Sequence, residues 1–366
     1  MRIVHISDCY LPRLGGIEVQ VQGLARQQKV RGDEVHVITA TRGETLDDHG
    51  VTIHRIAMRI PFDLPIHTQG KRQIRARLRE LQPDVVHIHM GAVSQFAWAG
   101  IAACAELEIP SLTTVHSMWA PWTKRLYSLL RYINRWDQST QLSAVSNACA
   151  TLVSKATHQK VLIASNGVDL EMWRGGLDVH TSHQPMRLVS ATRFSPRKRV
   201  LPLLKLMHKL HHAFGTRTPH LTIAGSGPQF AAAQKFIERN NLQSVVTLVG
   251  RLDRAALKEL FTNSDAFIQL SELESFGLAA IEARAVGLPV FGRTGNGLSE
   301  FVVHRESGYL EDSDAAISAR IVECLQNPEQ LVALKTASLA TPPHHTWDFA
   351  LTQVASGYDA AIKHLR

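Results

Sequence analysis

The chain has 366 residues, more than one hydrophobic core usually serves, so its length predicts two domains. The apolar content of 45% is ordinary for a soluble globular protein, and no apolar run reaches the ~20 residues that span a bilayer. Four scattered cysteines without a C-x-x-C pair argue against a disulfide framework or a zinc site, and they fit a reducing cytoplasm. Residues 1–8 predict a first strand rather than a signal peptide, because they have no long apolar core.

Short apolar runs alternate with helical patterns twice along the chain, which predicts two parallel α/β sheets. Strands are predicted at 2–7, 34–39, 51–56, 85–89, 111–115 and 142–145 in the first half, and at 187–191, 220–223, 245–248, 266–270 and 289–291 in the second. The polar stretch 175–185 predicts a linker between the halves. An amphipathic pattern from Trp347 onward predicts a C-terminal helix.

The formal charge of +8 is concentrated in three segments of the sequence. Residues 54–79 hold seven Lys/Arg against Asp63, residues 119–136 hold four and no acid, and residues 179–218 hold eight and no acid. Such excess charge indicates phosphate-bearing ligands, anionic lipid surfaces or nucleic acid.

A glycine pair follows the first predicted strand and opens a predicted helix that runs to about residue 31. Gly15 and Gly16 lack a Cβ, so the backbone can approach a ligand closely there. The N-terminus of the helix offers free N–H groups and the positive end of the helix dipole to an anion. An ordinary strand-to-helix turn also favours glycine, and that interpretation stays open.

Three histidines lie on or directly after two of the predicted strands. His116 directly follows the strand 111–115, at a carboxyl end where ligands bind in open α/β sheets. His87 and His89 alternate along another strand and therefore point the same way. That pair suggests a metal site, but the sequence shows no third ligand.

A dinucleotide-binding fingerprint is the main alternative at the level of the fold. Gly225 and Gly227 follow the strand 220–223, but Phe230 stands where a third glycine is needed. The turn is therefore expected to shape a strand-to-helix junction near a ligand site instead.

Two glutamates with seven residues between them carry the strongest signal in the chain. Glu274 precedes a predicted helix and Glu282 is expected two turns along it, in the context E-S-F-G, helix, G-L-P-V. The chain resembles the GT4-like retaining glycosyltransferases of the GT-B fold, which carry this E-x7-E element. The opening segment with G-G-I-E and the pattern P-D-V-V-H-x-H around His87 are similar to that family as well.

The resemblance implies an α/β GT-B architecture of two Rossmann-like, doubly wound domains facing an interdomain cleft. Residues 1–175 would form the acceptor-binding domain and residues 176–345 the nucleotide-sugar-binding domain. Residues 346–366 would form a helix that crosses back to the N-terminal domain.

It also implies roles for individual residues. Glu274 would approach the donor sugar, Glu282 would hold the ribose diol, and Gly16 would contact the distal phosphate. Arg193 and Lys198 would clamp the diphosphate, although the spacing lets Arg197 or Arg199 replace one of them. The implied catalytic residues are His116, Arg193, Lys198 and Glu274, and the implied donor contacts are Gly15, Gly16, Arg193, Lys198, Gly225, Arg251, Glu274, Phe276, Gly277, Leu278 and Glu282.

The implied reaction moves a hexose from a nucleotide diphosphate sugar to a hydroxyl, with GDP-mannose as first guess and UDP-glucose or UDP-N-acetylglucosamine as alternatives. No cofactor and no metal are expected, since no D-x-D motif is identified of the kind that holds a divalent ion in nucleotide-sugar enzymes of the other major fold, and Arg193 and Lys198 would neutralise the diphosphate. Retention of anomeric configuration is implied by the resemblance alone.

The acceptor half leaves more open. The segment 119–136 mixes aromatic, aliphatic and cationic residues at helical spacing, so it could lie on anionic lipid or pack on its own domain. Lipid contact would favour a lipid-linked acceptor and a peripheral location on the inner face of the membrane. Alternatives are a nucleotide-sugar epimerase on the same fold, a soluble acceptor, or a non-catalytic lipid- or nucleic-acid-binding protein. Nucleic acid is not expected as a partner, because basic and aromatic residues do not interleave on the strands.

Overall fold

The computed structural model describes residues 1–13, 15–44, 48–56, 70–134, 136–178 and 183–365, without the side chains of 132–134. The chain forms two compact units, Met1–Val168 with His345–Arg366, and Asp169–His344. The boundary therefore follows Val168 rather than residue 175. The described parts of the expected linker, 175–178 and 183–185, belong to the second unit.

The first unit is built on a parallel sheet. Its strands, numbered along the chain, are β1 (Arg2–Ser7), β2 (Glu34–Thr39), β3 (Thr52–Arg55), β4 (Val85–Met90), β5 (Ser111–Val115), β6 (Gln141–Ala144) and β7 (Leu162–Ile163). They lie in the order β3-β2-β1-β4-β5-β6-β7. The central strands are almost wholly buried, as expected for a parallel sheet with helices on both faces.

Its helices are α1 (Gly16–Val30), α2 (Gly70–Leu81), α3 (Gln95–Leu107), α4 (Pro121–Asn134), α5 (Asn147–Thr157) and the C-terminal α13 (Trp347–Leu365). The side chain of Trp347 lies against two glycines: a Cβ on Gly23 or on Gly167 would come within 2.3 Å of its indole. Because only glycine fits at both positions, the start of α13 packs closely on the first unit.

The second unit repeats the pattern with the strands β8 (Arg187–Ala191), β9 (His220–Ala224), β10 (Val246–Gly250), β11 (Ala266–Gln269), β12 (Val290–Arg293) and β13 (Gly308–Glu311). Their order is β10-β9-β8-β11-β12-β13, and all pairings are parallel. The helices are α6 (Leu170–Trp173), α7 (Val200–Phe214), α8 (Phe230–Arg239), α9 (Arg254–Thr262), α10 (Leu278–Val286), α11 (Asp314–Gln326) and α12 (Pro328–Ala340).

The strand order reverses beside the first strand of each sheet. In the first unit β1 lies between β2 and β4, and in the second β8 lies between β9 and β11. Ligands of open α/β sheets bind at the carboxyl ends of the strands on either side of such a switch point. The loops that follow β1, β4, β8 and β11 are therefore the places to look for a site.

The prediction of two Rossmann-like, doubly wound domains is confirmed. Every predicted strand is present, with bounds shifted by at most two residues. The strands β7 and β13 are not among the predicted ones. The described part of the chain has no helix long and apolar enough to cross a membrane.

Candidate active site

A buried carboxylate lies at the switch point of the second unit. Glu274 follows β11 in the chain, and its side chain is 6% exposed. Its Oε2 accepts hydrogen bonds from Nζ of Lys198 at 2.5 Å and from Nε2 of Gln269 at 2.5 Å. Lys198 ends the short 3-10 turn that follows β8, and Gln269 is the last residue of β11. The two strands thus bring one cation and one acid together at their carboxyl ends.

The other cations of the same loop point elsewhere. The guanidinium of Arg197 donates to the carbonyl oxygen of Leu273 at 2.8 Å. Arg199 forms ion pairs with Glu272 at 2.9 Å and with Asp314 at 2.6 Å. Of the two alternatives that the sequence left open, neither takes the position of Lys198 at the buried carboxylate.

Arg193, by contrast, is exposed beside this loop. Within the part of the chain that the structure describes, its guanidinium forms no ion pair or side-chain hydrogen bond. It is available to an anionic ligand at the carboxyl end of β8.

The start of α10 adds backbone donors to this region. Gly277 caps the helix with a φ of 98°, and Leu278 is its first residue. Phe276, just before the cap, is fully buried against Phe301, which anchors the turn. The first N–H groups of a helix have no partner within it, so they can bind an anion.

Glu282 lies about one turn along α10, not two, because the helix begins only at Leu278. Burial raises the pKa of Glu282 to about 7, against the opposing attraction of Arg254 on the neighbouring α9. The side chain therefore changes its charge near neutral pH.

The glycine-rich turn after β9 supports the loop that carries Arg193 and Lys198. Gly225 has a φ of +133°, and a Cβ there would lie 1.9 Å from the carbonyl oxygen of Thr192. Next to it, Ser226 accepts a hydrogen bond from Nε of Arg251 at 2.7 Å. The turn is therefore a strand-to-helix junction of the expected kind, packed backbone to backbone against the loop after β8.

We expect Gly225→Ala to destabilise the protein clearly more than Gly250→Ala. At Gly250 the φ is +71° and nothing lies within 4 Å of a new Cβ, so the cost is the left-handed strain of about 1–2 kcal/mol. At Gly225 a clash with backbone is added, so the free energy of unfolding should fall by at least ~2 kcal/mol more. Urea unfolding of both variants measures the difference, and equal losses would contradict the close approach.

The glycine pair of the first unit begins α1. Gly15 is the N-cap in an extended conformation, and Gly16 is the first residue of the helix. A Cβ on Gly15 would lie 2.5 Å from the carboxylate of Glu18, which is buried and pairs with Arg13 at 3.2 Å. The start of α1 therefore combines free N–H groups with a nearby acid.

Four histidines of the first unit lie side by side. His5 on β1 is in register with His87 on β4, and His89 lies beside both. His116, directly after β5, hydrogen bonds to His89 at 3.0 Å. Burial lowers the pKa of His5 and of His116 to about 4, and those of His87 and His89 well below the usual value.

His5 is the third potential metal ligand that the sequence did not show. One ring nitrogen of each of His5, His87 and His89 lies within 4.8 Å of the others. All their ring nitrogens are, however, engaged in hydrogen bonds, to Gln28, Tyr358, Thr114, His116 and each other. An ion would break these bonds, so the donor set fits a hydrogen-bonded network better than a metal site.

Asp8 is a candidate that sequence reasoning did not single out. It follows β1 at the switch point, and its Oδ1 accepts from the backbone N–H of Phe96 at 3.2 Å. Its buried Oδ2 has no hydrogen-bond partner among the described residues, and burial raises the pKa of Asp8 to about 6. Its position directly after a first strand was the available signal.

The segment 119–136 is divided between core and surface. Tyr127 is buried and stacks on Trp119 at 4.1 Å, and Arg131 pairs with the buried Asp137. On the outer face of α4, Trp122 and Leu129 are 62% and 58% exposed.

Much of the described charge in the basic stretch 54–79 is paired. Lys71 and Arg75 both form ion pairs with Glu106, and Arg77 pairs with Glu80. Arg59 and Asp63 of this stretch lie outside the described residues.

Two family profiles match the chain. The one described as "Glycosyltransferase Family 4" covers residues 14–172, and the one described as "Glycosyl transferases group 1" covers residues 179–339. The crystal structure of Anabaena Alr3699/HepE with UDP and glucose matches with a TM-score of 0.77, covering 98% of this chain and 99% of that one. Because the sequence identity is only 18%, this match supports the fold and nothing further.

Proteins of similar sequence are named as glycosyltransferases. A GDP-mannose-dependent alpha-mannosyltransferase of Mycolicibacterium smegmatis is 24% identical over 379 residues, covering 99% of this chain and 98% of that protein. Alpha-monoglucosyldiacylglycerol synthase of Acholeplasma laidlawii is 24% identical over 380 residues, covering 94% of this chain and 93% of that protein. With profiles matched in both halves and such relatives along its whole length, the chain belongs to the GT4-like glycosyltransferases of the GT-B fold.

Proposed function

We propose that the chain transfers a hexosyl residue from a nucleotide diphosphate sugar, with GDP-mannose the first donor to test, to a hydroxyl of a lipid-linked acceptor. The observation that carries the proposal is the Lys198–Glu274 pair at the carboxyl ends of β8 and β11, beside the N-terminus of α10. A cation and free N–H groups suit a diphosphate, and a buried carboxylate suits a sugar. The names of the two relatives support the choice of donor and of lipid.

In the proposed reaction, the bond between the anomeric carbon and the phosphate oxygen breaks, and its electron pair leaves with the nucleoside diphosphate. The acceptor hydroxyl attacks from the same face, so the configuration is retained, and its proton passes to the departing phosphate oxygen. Lys198 and Arg193 would stabilise the negative charge that develops, without a metal. Cations that act more strongly on the transition state than on the ground state accelerate the reaction.

The remaining predicted contacts have positions that suit this scheme. Gly277 and Leu278 offer the backbone N–H groups at the start of α10, with Phe276 fixing the turn. Gly225 lies in the turn that supports the loop carrying Arg193 and Lys198, and Arg251 donates to Ser226 of the same turn. In the first unit, His116 would contact the donor sugar, and Gly15 and Gly16 the distal phosphate.

The test is a thermal-shift and turnover screen with GDP-, UDP- and ADP-sugars, with and without EDTA and with and without extracted lipid. The expected result is lipid-dependent release of one nucleoside diphosphate that EDTA does not abolish. Conversion of the donor without an acceptor would favour an epimerase instead. Stabilisation by the nucleotide without turnover on lipid would favour a soluble acceptor.

Glu282 predicts a pH dependence of nucleotide binding. Above its pKa of about 7 the ionised carboxylate can accept hydrogen bonds from both hydroxyls of a ribose, and below it the protonated form offers fewer acceptors. Affinity for the nucleoside diphosphate should therefore fall as the pH drops through 7, by up to ~10-fold per pH unit.

Titration calorimetry from about pH 5.5 to about pH 8.5, a range that brackets the pKa of Glu282, measures this effect. Since a phosphate ligand itself titrates near pH ~6, Glu282→Gln is the reference in which only the ligand contributes. Glu238→Gln, an exposed acid on α8, should keep the wild-type profile. Identical profiles for wild type and Glu282→Gln would remove Glu282 from the site.

Membrane contact is proposed through the outer face of α4. Trp122, Arg125 and Leu129 are all exposed, and their spacing places them on one side of the helix. An exposed tryptophan and leucine beside a cation suit the boundary between headgroups and acyl chains. Tyr127, on the opposite side, accounts for the packing on the domain itself.

We expect Trp122→Glu/Leu129→Glu to weaken binding to vesicles with anionic lipid by ~10-fold or more, because both apolar contacts are replaced by charges that anionic headgroups repel. Co-sedimentation with vesicles of phosphatidylglycerol and phosphatidylcholine measures this. Val30→Glu, an exposed apolar residue at the end of α1, is the control and should bind as wild type does. Equal binding of all three proteins would place the membrane contact elsewhere.

A further inference from the structure

Eight buried side chains of the first unit are joined end to end by hydrogen bonds. They are, in order, Ser143, Thr114, His87, Tyr358, Gln28, His5, His89 and His116, and successive polar atoms lie 2.7–3.0 Å apart. We call this set the histidine network. It runs from the interior of the sheet, through the C-terminal helix, to the carboxyl end of β5.

The network has one direction, which the amide of Gln28 sets: its nitrogen donates to the hydroxyl of Tyr358, so its oxygen is the atom that accepts from His5. The far end agrees with this direction, because Ser143 can donate to the backbone carbonyl of Thr113 at 3.4 Å while it accepts from Thr114. Thr114 then accepts from Nε2–H of His87. Each neutral imidazole has one donor and one acceptor, so the direction passes from one ring to the next. Burial keeps all four rings neutral at neutral pH, since it lowers their pKa values.

The second half of the network follows in the same way. Nδ1 of His87 accepts from the hydroxyl of Tyr358, which in turn accepts from Nε2 of Gln28. The amide oxygen of Gln28 is then left to accept from Nε2–H of His5. Nδ1 of His5 accepts from Nε2–H of His89, whose Nδ1 is left to accept from His116. Tautomers of histidine are assigned from such networks.

His116 is therefore protonated at Nε2 and carries a bare lone pair at Nδ1. Among the described residues nothing donates to this nitrogen. His116 is 9% exposed and is the most exposed member of the network. The cavity that it lines with His87, His89 and Thr114 is about 20 Å³, room for one water molecule and not for a sugar. A ligand must therefore approach His116 from the end of β5.

We propose that the histidine network fixes His116 as a hydrogen-bond acceptor at Nδ1 for a hydroxyl of the donor sugar, with His89, His5 and Gln28 as positioning residues. The role in transfer rests on the proposed function. The tautomer does not, because it follows from the hydrogen bonds of the protein alone. If a sugar hydroxyl donates to Nδ1, replacing it with fluorine or with hydrogen removes the hydrogen bond in both cases. If the hydroxyl instead accepted a hydrogen bond, fluorine would keep part of that bond.

The tautomer is tested on the whole protein labelled with ¹⁵N-histidine. Two-bond ¹H–¹⁵N correlation spectra separate a protonated from an unprotonated ring nitrogen, and His116→Asn identifies the signals of His116. We expect an unprotonated Nδ1 and a protonated Nε2 without ligand at neutral pH. A proton on Nδ1 would overturn the proposal whatever the activity of the protein.

The positioning role is tested with His89→Leu and His89→Gln. Leucine removes the acceptor of His116, and we expect kcat to fall by ~10–100-fold with little change in nucleotide affinity. Glutamine can accept from His116 and donate to His5, so it should restore most of the rate and the single tautomer. His36→Leu, at another buried histidine hydrogen bonded to a histidine on a parallel strand, is the control with unchanged kcat.

Wild-type kcat in His89→Leu would overturn the positioning role, as would equal losses in His89→Leu and His89→Gln when both have wild-type melting temperatures. Fluorinated and deoxygenated donors complete the test. When the hydroxyl that His116 contacts is replaced, the fluorinated and the deoxygenated donor should both show the same fold decrease in kcat. If the wild-type protein turns over no nucleotide sugar, the proposed function fails, while the spectra still decide the tautomer.

Discussion

Glu274→Gln should lower kcat by ~10²–10³-fold while leaving nucleoside diphosphate affinity within a few fold, because the change removes a negative charge at the sugar and not at the nucleotide. The carboxylate is 6% exposed and is held by Lys198 and Gln269, so its position is fixed before the substrate binds. Glutamine keeps the shape and loses the charge. Steady-state kinetics with the preferred donor and calorimetry with its nucleoside diphosphate separate the two effects.

Glu272→Gln is the matched control, since it makes the same chemical change two residues away. Glu272 is 50% exposed and pairs with Arg199 on the outside of the loop. Its loss should change kcat by less than ~3-fold, as is usual for a surface ion pair. If Glu274→Gln also stays within that range, and both variants melt like the wild type, then Glu274 is not at the reacting centre.

The fold could be predicted because both sheets are parallel and covered on both faces, which makes each strand a short apolar run. The two missed strands lack this signal. β7 has only two residues, Leu162 and Ile163, and both are only partly buried. β13, Gly308–Glu311, has only two apolar residues between a glycine and a glutamate, so it does not form an apolar run. Their pairing is decided by the neighbouring strands β6 and β12, which local sequence does not show.

The meeting of the basic loop and the E-x7-E element could be expected from topology, because β8 and β11 flank a switch point. The choice among the four cations of that loop could not. Lys198 reaches Glu274, while Arg197 turns to a backbone carbonyl and Arg199 to acids on the outside. Such choices depend on one or two ångströms of backbone position after the 3-10 turn, which spacing does not determine.

The histidine network could not be predicted from the sequence either, because its members are far apart along the chain. His87 and His89 stand out in the sequence as a pair on one strand. His5 joins them only through the register of β1 with β4, and Tyr358 arrives from the last helix of the chain. Contacts at such separations are set by the assembled sheet. The sequence alone therefore showed a histidine pair without a third metal ligand and predicted no metal, and it gave no sign of the continuous line of donors and acceptors that the structure shows.

Lys198→Met is the second change with a large expected effect, a fall in kcat of ~10²-fold or more. Methionine keeps the length of the side chain and removes the charge that would stabilise the departing diphosphate. It also leaves the buried Glu274 with Gln269 as its remaining side-chain donor among the described residues, so part of the loss should be shared with Glu274→Gln. Lys205→Met, an exposed lysine on α7, should leave kcat unchanged.

A double-mutant cycle distinguishes one shared site from two independent effects. Because Nζ of Lys198 lies 2.5 Å from the carboxylate of Glu274, the two losses should not add. The double variant Lys198→Met/Glu274→Gln should be faster than the product of the single effects predicts, by a coupling free energy of ~1–3 kcal/mol, or about 5–150-fold. Additive losses would mean that the Lys198–Glu274 ion pair opens before the reaction, and that the two side chains then act on different parts of the donor. Coupling would instead mean that the cation at the leaving group also sets the charge of the acid at the sugar, so that donor binding and catalysis use one preformed pair.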